Sequence, residues 1–223
     1  MRSALFLDIV QPWIDWAWLS THIPYVLAAV QEHVTLTLIA VAGGFAISLP
    51  LGVLAHRWTS TRLPILTAFG TFYTIPSIAL FALLIPVTGL SGTTAEIPLI
   101  GYNVLVLVRN ILVGLDSVAP DVLDAADGMG YRPLVRLFRI ELPLALPAIF
   151  AGLRVATVST IGIVTITAVI GLGGLGQLIL RGLIETFYSP LVVATVLCIV
   201  LALVADLLIA GVQRVAVPWA RPA

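Results

Sequence analysis

The sequence has little charge and no lysine. Only 10% of its 223 residues are charged, and all 11 basic residues are arginine. Soluble globular domains carry about 25% charged residues, so this chain has too little polar surface to face water on all sides. Its mean hydropathy of +1.13 favours lipid as the surrounding solvent. The net charge is zero, which offers no electrostatic attraction to nucleic acid, so we expect no nucleic-acid partner.

Several chemical sites are excluded by missing residues. Cys198 is the single cysteine, which rules out an internal disulfide and a multi-cysteine metal site. A phosphate-binding loop of the type Gly-x-x-x-x-Gly-Lys-Ser/Thr needs a lysine. We therefore expect no ATPase site and no cofactor in this chain. His22, His33 and His56 are scattered, and no Ser-His-Asp or paired-carboxylate set emerges, so we predict no metal site and no catalytic residue.

Five apolar segments are long enough to cross a membrane. A hydrocarbon core about 30 Å thick needs roughly 20 apolar residues of helix. We predict an all-α polytopic membrane helical bundle of about five transmembrane helices. The predicted spans are residues 34–55, 63–89, 97–115, 144–170 and 190–213. Together they form one permease-sized domain, residues 34–213, with residues 214–223 as a tail.

Residues 1–33 differ from the spans in composition. Trp13, Trp16 and Trp18 cluster there among polar residues and proline. Tryptophan favours the level of the lipid headgroups. We predict an N-terminal interfacial helix in this lead-in and not a sixth span. The alternative is an irregular amphipathic segment that covers the bundle.

The arginines orient the bundle. When the loop after the third span is placed in the cytoplasm, nine arginines lie inside and only Arg2 and Arg181 lie outside. The excess of arginine on one side selects this orientation. We therefore predict a multi-pass protein of the cytoplasmic membrane, with its N-terminus outside and its C-terminal tail in the cytoplasm.

The cytoplasmic loop at residues 116–143 gathers charge. Seven of the 22 charged residues lie in it between residues 121 and 141: Asp121, Asp124, Asp127, Arg132, Arg136, Arg139 and Glu141. Pro120 is a suitable first residue for a short helix that reaches about Met129, and Gly128 and Gly130 permit a turn. A second amphipathic helix, "RPLVRLFRIEL", follows, and Pro143 and Pro147 are predicted to mark its end and the entry to the next span.

The spacing within this loop resembles a known motif. "DAADGMG", nine residues and then "IELP" are similar to the EAA loop of permease subunits of ABC importers. The matching residues are Asp124, Ala125, Ala126, Gly130, Ile140, Leu142 and Pro143. Asp124 replaces the usual glutamate, which shortens the carboxylate's reach. The flanking sequences "VLVRNILVGLDSVAP" and "AVIGLGGLGQLILRGL" resemble permeases for glycine betaine, carnitine, choline and related osmoprotectants.

The resemblance implies a type I ABC importer permease fold in a bacterial cytoplasmic (inner) membrane. It implies that the loop docks into a groove of a separate cytoplasmic ABC ATPase subunit, which binds ATP-Mg, and that Ala125 and Ala126 are small so that the helix can enter. It further implies a second permease, identical or paralogous, and an extracytoplasmic substrate-binding protein. The substrates would be glycine betaine, carnitine, choline or proline betaine. Methionine and oxyanion permeases share much of this architecture, so these substrates stay open.

Two other function classes are considered, a stand-alone secondary transporter and an intramembrane enzyme. A secondary transporter is expected to carry several ionisable groups in mid-membrane. The predicted spans hold few such groups, namely Arg109, Arg154 and Asp206, and all three lie toward the cytoplasmic side. No catalytic set supports an enzyme. Arg154 and Asp206 are predicted to pair inside the bundle, and the alternative is separate snorkelling to the headgroups.

Aromatic residues of the second span suggest a substrate pathway. Phe69, Phe72 and Tyr73 could offer their faces to a quaternary ammonium group by cation–π attraction. The alternative is that they pack against neighbouring helices. "GLGGLG" at residues 171–176 lacks the context of a nucleotide-binding loop, and we predict a tight turn in an external loop.

The orientation yields a labelling prediction. In a Cys198→Ser background, a cysteine at Thr59 should react only from the cytoplasm and one at Ser91 only from outside, because the arginine distribution places these loops on opposite sides. Impermeant thiol reagents applied to intact cells and to inverted vesicles measure this. Reaction of position 91 from the cytoplasm alone would show that the orientation is inverted.

Overall fold

The computed structural model describes residues 13–220, and these residues form helices joined by short turns without any strand. The predicted segments at residues 1–12 and 221–223 lie outside the described residues. The helices, in chain order, are α1 (Trp16–Arg57), α2 (Thr59–Thr74), α3 (Ser77–Thr88), α4 (Gly92–Asp116), α5 (Pro120–Gly128), α6 (Pro133–Arg136), α7 (Leu142–Val164), α8 (Leu175–Ile184) and α9 (Tyr188–Ala216). A π-helical turn, Leu137–Glu141, joins α6 to α7, and 3₁₀ turns occupy Thr165–Ile170 and Pro218–Ala220.

Helix α1 is a single helix of 42 residues, so the predicted boundary at residue 33 is wrong as a helix end. The cap lies farther upstream, where the Asp15 carboxylate accepts hydrogen bonds from the backbone N–H groups of Ala17 and Trp18. At 1.5 Å per residue the helix is about 63 Å long, roughly twice the hydrocarbon thickness. The tryptophan-rich lead-in therefore continues the first span without a break after Trp16.

The second predicted span is broken. Helices α2 and α3 meet at an angle of 94° around Ile75 and Pro76. Proline disfavours a helical residue before it and cannot donate a backbone hydrogen bond, so the chain leaves the helix at this point. The Tyr102 hydroxyl donates to the freed Ile75 carbonyl at 2.6 Å. Among residues 13–220, four helices are long and apolar enough to span a membrane, and the bent pair makes a fifth.

The loop helix and the fourth span form one continuous helical segment, Pro133–Ile170. The prediction that Pro143 separates them is wrong. Pro143 lacks an N–H group, and its ring would clash with a carbonyl in a regular α-helix. The wider π-helical turn just before it, in which the Leu142 N–H donates to the Leu137 carbonyl, accommodates the proline without ending the helix.

Helix α4 forms the centre of the bundle. About 61% of its apolar stretch is buried, against 11% for α9 at the periphery. Small residues allow close helix approach, as is common in membrane bundles. A Cβ at Gly52 of α1 would lie 2.5 Å from the side chain of Ile111, and a Cβ at Gly114 of α4 would lie 2.7 Å from the carbonyl oxygen of Ala145. Glycine is therefore required where α4 touches α1 and α7.

This packing predicts a stability difference between two Gly→Ala substitutions. Gly114→Ala should lower the unfolding temperature in detergent, because its methyl group meets the backbone of α7, and overpacking typically costs about 1–3 kcal/mol. Gly211→Ala, at a position with no atom within 4 Å of the added Cβ, should leave it unchanged or raised. Equal melting temperatures for the two variants would contradict the close α4–α7 contact.

Candidate coupling loop and transport pathway

Helix α5 and the turn after it form a closed local unit. Pro120 is at the first helical turn, and Asp121 complements its positive end. The chain then turns at Gly130, whose φ is +78°. The Gly130 N–H donates to the Asp127 carbonyl at 2.9 Å, and the Tyr131 N–H donates to the Ala126 carbonyl at 3.1 Å. This pattern is a Schellman motif, which requires a left-handed residue and therefore favours glycine.

The two alanines of the loop differ in exposure. Asp124 and Ala125 are exposed, whereas Ala126 is fully buried beneath the turn. The expectation that both small side chains enter a partner's groove therefore does not hold for Ala126, which packs inside the loop. Ile140, Leu142 and Pro143 are half-buried. Leu142 packs against the cluster of Ile111, Leu115, Leu137, Ala145 and Ile149, so it joins the loop to the bundle.

The loop exposes large apolar side chains. Met129, Leu134 and Phe138 are 68%, 63% and 65% exposed. Exposed Arg132 and Arg139 lie among them in the chain. Apolar residues rimmed by charge are typical of a protein-binding surface. Amphipathic spacing in "RPLVRLFRIEL" indicated an apolar face, but the sequence could not show that this face remains uncovered within the chain.

A chain of charged side chains ties the loop to three helix ends. Arg136 Nη1 contacts the Asp127 carboxylate of α5, and Arg136 Nε donates to Glu141 Oε1 at 2.8 Å. His56 at the end of α1 lies between two carboxylates, with Nε2 3.5 Å from Glu141 Oε2 and Nδ1 2.8 Å from Asp116 Oδ1. Arg62 of α2 completes the chain, 2.8 Å from Asp116 Oδ2.

Glu141 is the central member of this charged chain. It is 4% exposed, and a buried carboxylate is stable only when paired. It lies on the π-helical turn, where the wider winding changes the face on which the following residues lie. Sequence reasoning treated Glu141 as one more loop charge and His56 as an isolated histidine, because nothing in their spacing of 85 positions signals contact.

Arg154 and Asp206 form a bidentate pair between α7 and α9. Arg154 Nε and Nη2 each donate to one Asp206 oxygen at 2.7 Å. The two side chains remain 40% and 29% exposed on the outer side of the bundle. Pairing neutralises both charges within apolar helices, where an unpaired charge is unfavourable. The arrangement agrees with the expected partnership but places it at a helix–helix seam and not in the bundle centre.

The three aromatic residues expected along a pathway have different surroundings. Phe69 packs against the buried cluster of Ala55, Val104, Val108 and Leu112. Phe72 is half-buried, 5.6 Å from the Tyr102 ring between centroids. Tyr73 is 44% exposed and meets Tyr102 edge-on at 5.5 Å. Tyr73 is the most exposed of the three, and it lines a cleft between α2 and α4 with Arg109 and Asn110.

The glycine-rich segment forms the tight turn predicted for it. Gly171, Gly173 and Gly174 all have positive φ. A Cβ at Gly174 would lie 2.2 Å from the Ala29 carbonyl oxygen. The Glu32 carboxylate accepts a hydrogen bond from the Gly173 N–H at 3.1 Å. The segment thus packs closely against α1, away from the charged loop.

Comparison with known proteins places this geometry in context. Residues 34–217 match the family described as "Binding-protein-dependent transport system inner membrane component". The chain is 39% identical over 201 residues to osmoprotectant import permease protein OsmW of Salmonella typhimurium, covering 87% of this chain and 93% of that protein. It is 33% identical over 189 residues to glycine betaine/carnitine/choline transport system permease protein OpuCB of Bacillus subtilis, covering 84% of this chain and 86% of that protein.

A solved structure shares the architecture. A chain of the inward-facing MetNI methionine ABC transporter superposes with a TM-score of 0.81 at 22% identity, covering 88% of this chain and 98% of that chain. At this identity the likeness concerns the fold alone. It confirms the predicted all-helical type I ABC importer permease fold.

The charged chain yields a prediction about the stability of the loop. Glu141→Leu should accelerate backbone hydrogen exchange across residues 120–136, because Arg136 and His56 lose their shared carboxylate. Breaking a buried ion pair costs about 3–5 kcal/mol of stability. Here we expect the loop to lose about 2–3 kcal/mol, because Arg136 still pairs with Asp127. Arg181→Gln, which removes the exposed pair with Glu185, is the matched control. Identical exchange in both variants would show that Glu141 does not hold the loop.

Proposed function

The chain belongs to the family of binding-protein-dependent transport system inner membrane components, and from this premise we propose that it is the permease subunit of an importer of quaternary-ammonium osmoprotectants. It is a multi-pass inner-membrane subunit with the fold of ABC importer permeases. The substrate, the identity of its partners and its orientation belong to the proposal. The observation that carries the proposal is the exposed loop at residues 116–143, which has the EAA spacing and presents an uncovered apolar face.

The loop would dock on a separate ATPase subunit. Asp124 and Ala125 on α5, together with Leu134 and Phe138 on the following helix, are exposed and would contact the partner's groove. The partner would bind ATP-Mg and hydrolyse it, since this chain contains no lysine with which to build a phosphate-binding loop. Closure of two ATPase subunits would then pull two such loops together.

A second permease and an external binding protein complete the proposed complex. The described part of α9 buries little of its apolar surface within the chain, and five spans alone make only a small bundle. Two such bundles would enclose a pathway between them. The binding protein would deliver substrate on the side opposite the loop, near the turn at Gly173. Orientation with the loop in the cytoplasm follows from the arginine distribution.

The substrate class rests on the functions for which the relatives are named. Their substrates, choline, glycine betaine and carnitine, share a quaternary ammonium group. An aromatic ring suits such a group, and the partly exposed Tyr73 lines a cleft. Methionine is the second candidate, since the superposed structure is a methionine transporter, but only its fold is shared.

Uptake measurements test the proposed function. The chain would be produced with its ATPase and binding protein in a bacterial host that lacks osmolyte uptake. We expect ATP-dependent uptake of radiolabelled glycine betaine, carnitine or choline that rises in high-osmolarity medium. Methionine and sulfate are the comparison substrates. Uptake of methionine or sulfate without any quaternary ammonium compound would overturn the proposed substrate class.

A loop variant distinguishes coupling from simple assembly. Gly130→Asp should lower uptake strongly while the subunit stays in the membrane, because an L-residue at φ +78° is strained and the turn must open. Gly128→Asp is the matched control, since Gly128 is also open on all sides but does not have a positive φ. Membrane content by immunoblotting and uptake rate are the two measurements. Wild-type uptake with Gly130→Asp would show that the turn is not needed for coupling.

A further inference from the structure

The cleft between α2 and α4 combines an aromatic ring and a cation. It has a volume of about 410 Å³ and is lined by Tyr73 and Thr74 from the end of α2 and by Arg109 and Asn110 from α4. This volume falls within the range of small-molecule sites, about 300–1,000 Å³. The cleft adjoins the 94° bend between α2 and α3. Breaks in membrane helices often place polar backbone and side chains beside a substrate.

Arg109 has no carboxylate partner among the described residues. Arg62, Arg136, Arg154 and Arg181 each form an ion pair, and Arg109 takes part in none of the pairs found across residues 13–220. It lies seven residues before the end of α4, about 10 Å into the helix. An unpaired arginine at such a position normally faces a water-filled cavity and marks a substrate or ion path. Its guanidinium presents a fork that fits a carboxylate.

Tyr73 is held in place by its neighbours. Its ring meets Tyr102 edge-on, with an angle of 90° between the rings. Tyr102 is itself fixed by the hydrogen bond from its hydroxyl to the Ile75 carbonyl at the bend. The ring of Tyr73 is therefore positioned by the break in the span, and Tyr73 remains 44% exposed. A quaternary ammonium group cannot donate hydrogen bonds, so an aromatic face is the protein group best suited to attract it.

We propose that this cleft binds a zwitterion that carries a quaternary ammonium group and a carboxylate, as glycine betaine and carnitine do. The carboxylate lies against Arg109, and the ammonium group lies against the ring of Tyr73. The inference rests on the proposed function and extends it, because it assigns a substrate-selective site to the permease itself. Choline carries the ammonium group without a carboxylate, so Arg109 favours betaines over choline in this cleft.

The test compares two substrates in the same cells. With the wild-type complex, uptake of radiolabelled glycine betaine and of choline gives a ratio of rates. Arg109→Gln should lower this ratio about tenfold, since a hydrogen bond between charged groups contributes a factor of about this order. Choline uptake should stay level or rise, because the repulsion between two cations disappears. The ratio for Arg109→Lys should fall between those of the wild type and Arg109→Gln.

Substitutions of Tyr73 test the site for the ammonium group. Tyr73→Leu should lower uptake of both substrates and leave their ratio unchanged, whereas Tyr73→Phe, which keeps the ring face, should retain uptake. Arg181→Gln is the control for removing an arginine elsewhere on the chain. Membrane content and recovery of the ATPase subunit are measured for every variant. A ratio unchanged by Arg109→Gln would overturn the inference, and so would loss of ATPase recovery together with both uptakes.

Two further comparisons distinguish a failure of the proposed function from a failure of the cleft assignment, and a transported substrate from a bound lipid. If the wild-type complex imports neither substrate, the proposed function fails before the cleft is tested. Phosphatidylcholine headgroups carry the same pair of charges, so uptake is repeated in reconstituted vesicles with and without this lipid. A dependence of the ratio on Arg109 that persists without phosphatidylcholine supports a transported ligand. A dependence seen only with this lipid overturns the assignment to substrate.

Discussion

The carboxylate of Glu141 joins the loop at residues 116–143 to the membrane bundle. It is buried, it accepts from Arg136, and it faces His56 at the end of α1. Because a buried carboxylate without partners is strongly unfavourable, the position of Arg136 and His56 is constrained together with it. Through Arg136 the constraint reaches Asp127 of α5, and through His56 it reaches Asp116 of α4. The loop is thus held at several points by charge and is not a freely moving connection.

The π-helical turn before Pro143 and the bend at Pro76 both accommodate a proline within a helical segment. Proline removes a hydrogen bond from a helix in a setting where no water can replace it. At Pro143 the helix widens and continues, which carries the loop directly into the fourth span. At Pro76 the helix breaks, and Tyr102 satisfies the freed carbonyl. The first arrangement keeps the loop and the fourth span in one continuous helical segment, and the second places a hydrogen-bonded bend close to Tyr73.

Hydropathy and the low content of charged residues predicted the class of the fold, because a lipid environment permits few alternatives to a helical bundle. The EAA spacing predicted the loop, since its small residues and its turn are encoded locally. What the sequence could not predict depends on tertiary contact. Ala126 is buried by the turn that follows it, the proline at position 143 is absorbed by a π turn, and His56 meets Glu141 across 85 positions. Arg109 was visible as a charge within a span, but its lack of a partner required the structure.

Helix α4 connects the two regions that the proposed importer needs. Asp116 at its end belongs to the charged chain that holds the loop, and Arg109 lies seven residues earlier, about two turns away. Helix α4 is the most buried of the four long helices, and glycine contacts pack it closely against α1 and α7. A displacement of α5 by the ATPase would therefore reach Asp116 through Arg136, Glu141 and His56 and would shift Arg109 with it. In the proposed importer, α4 would therefore connect the loop that meets the ATPase to the cleft beside Tyr73.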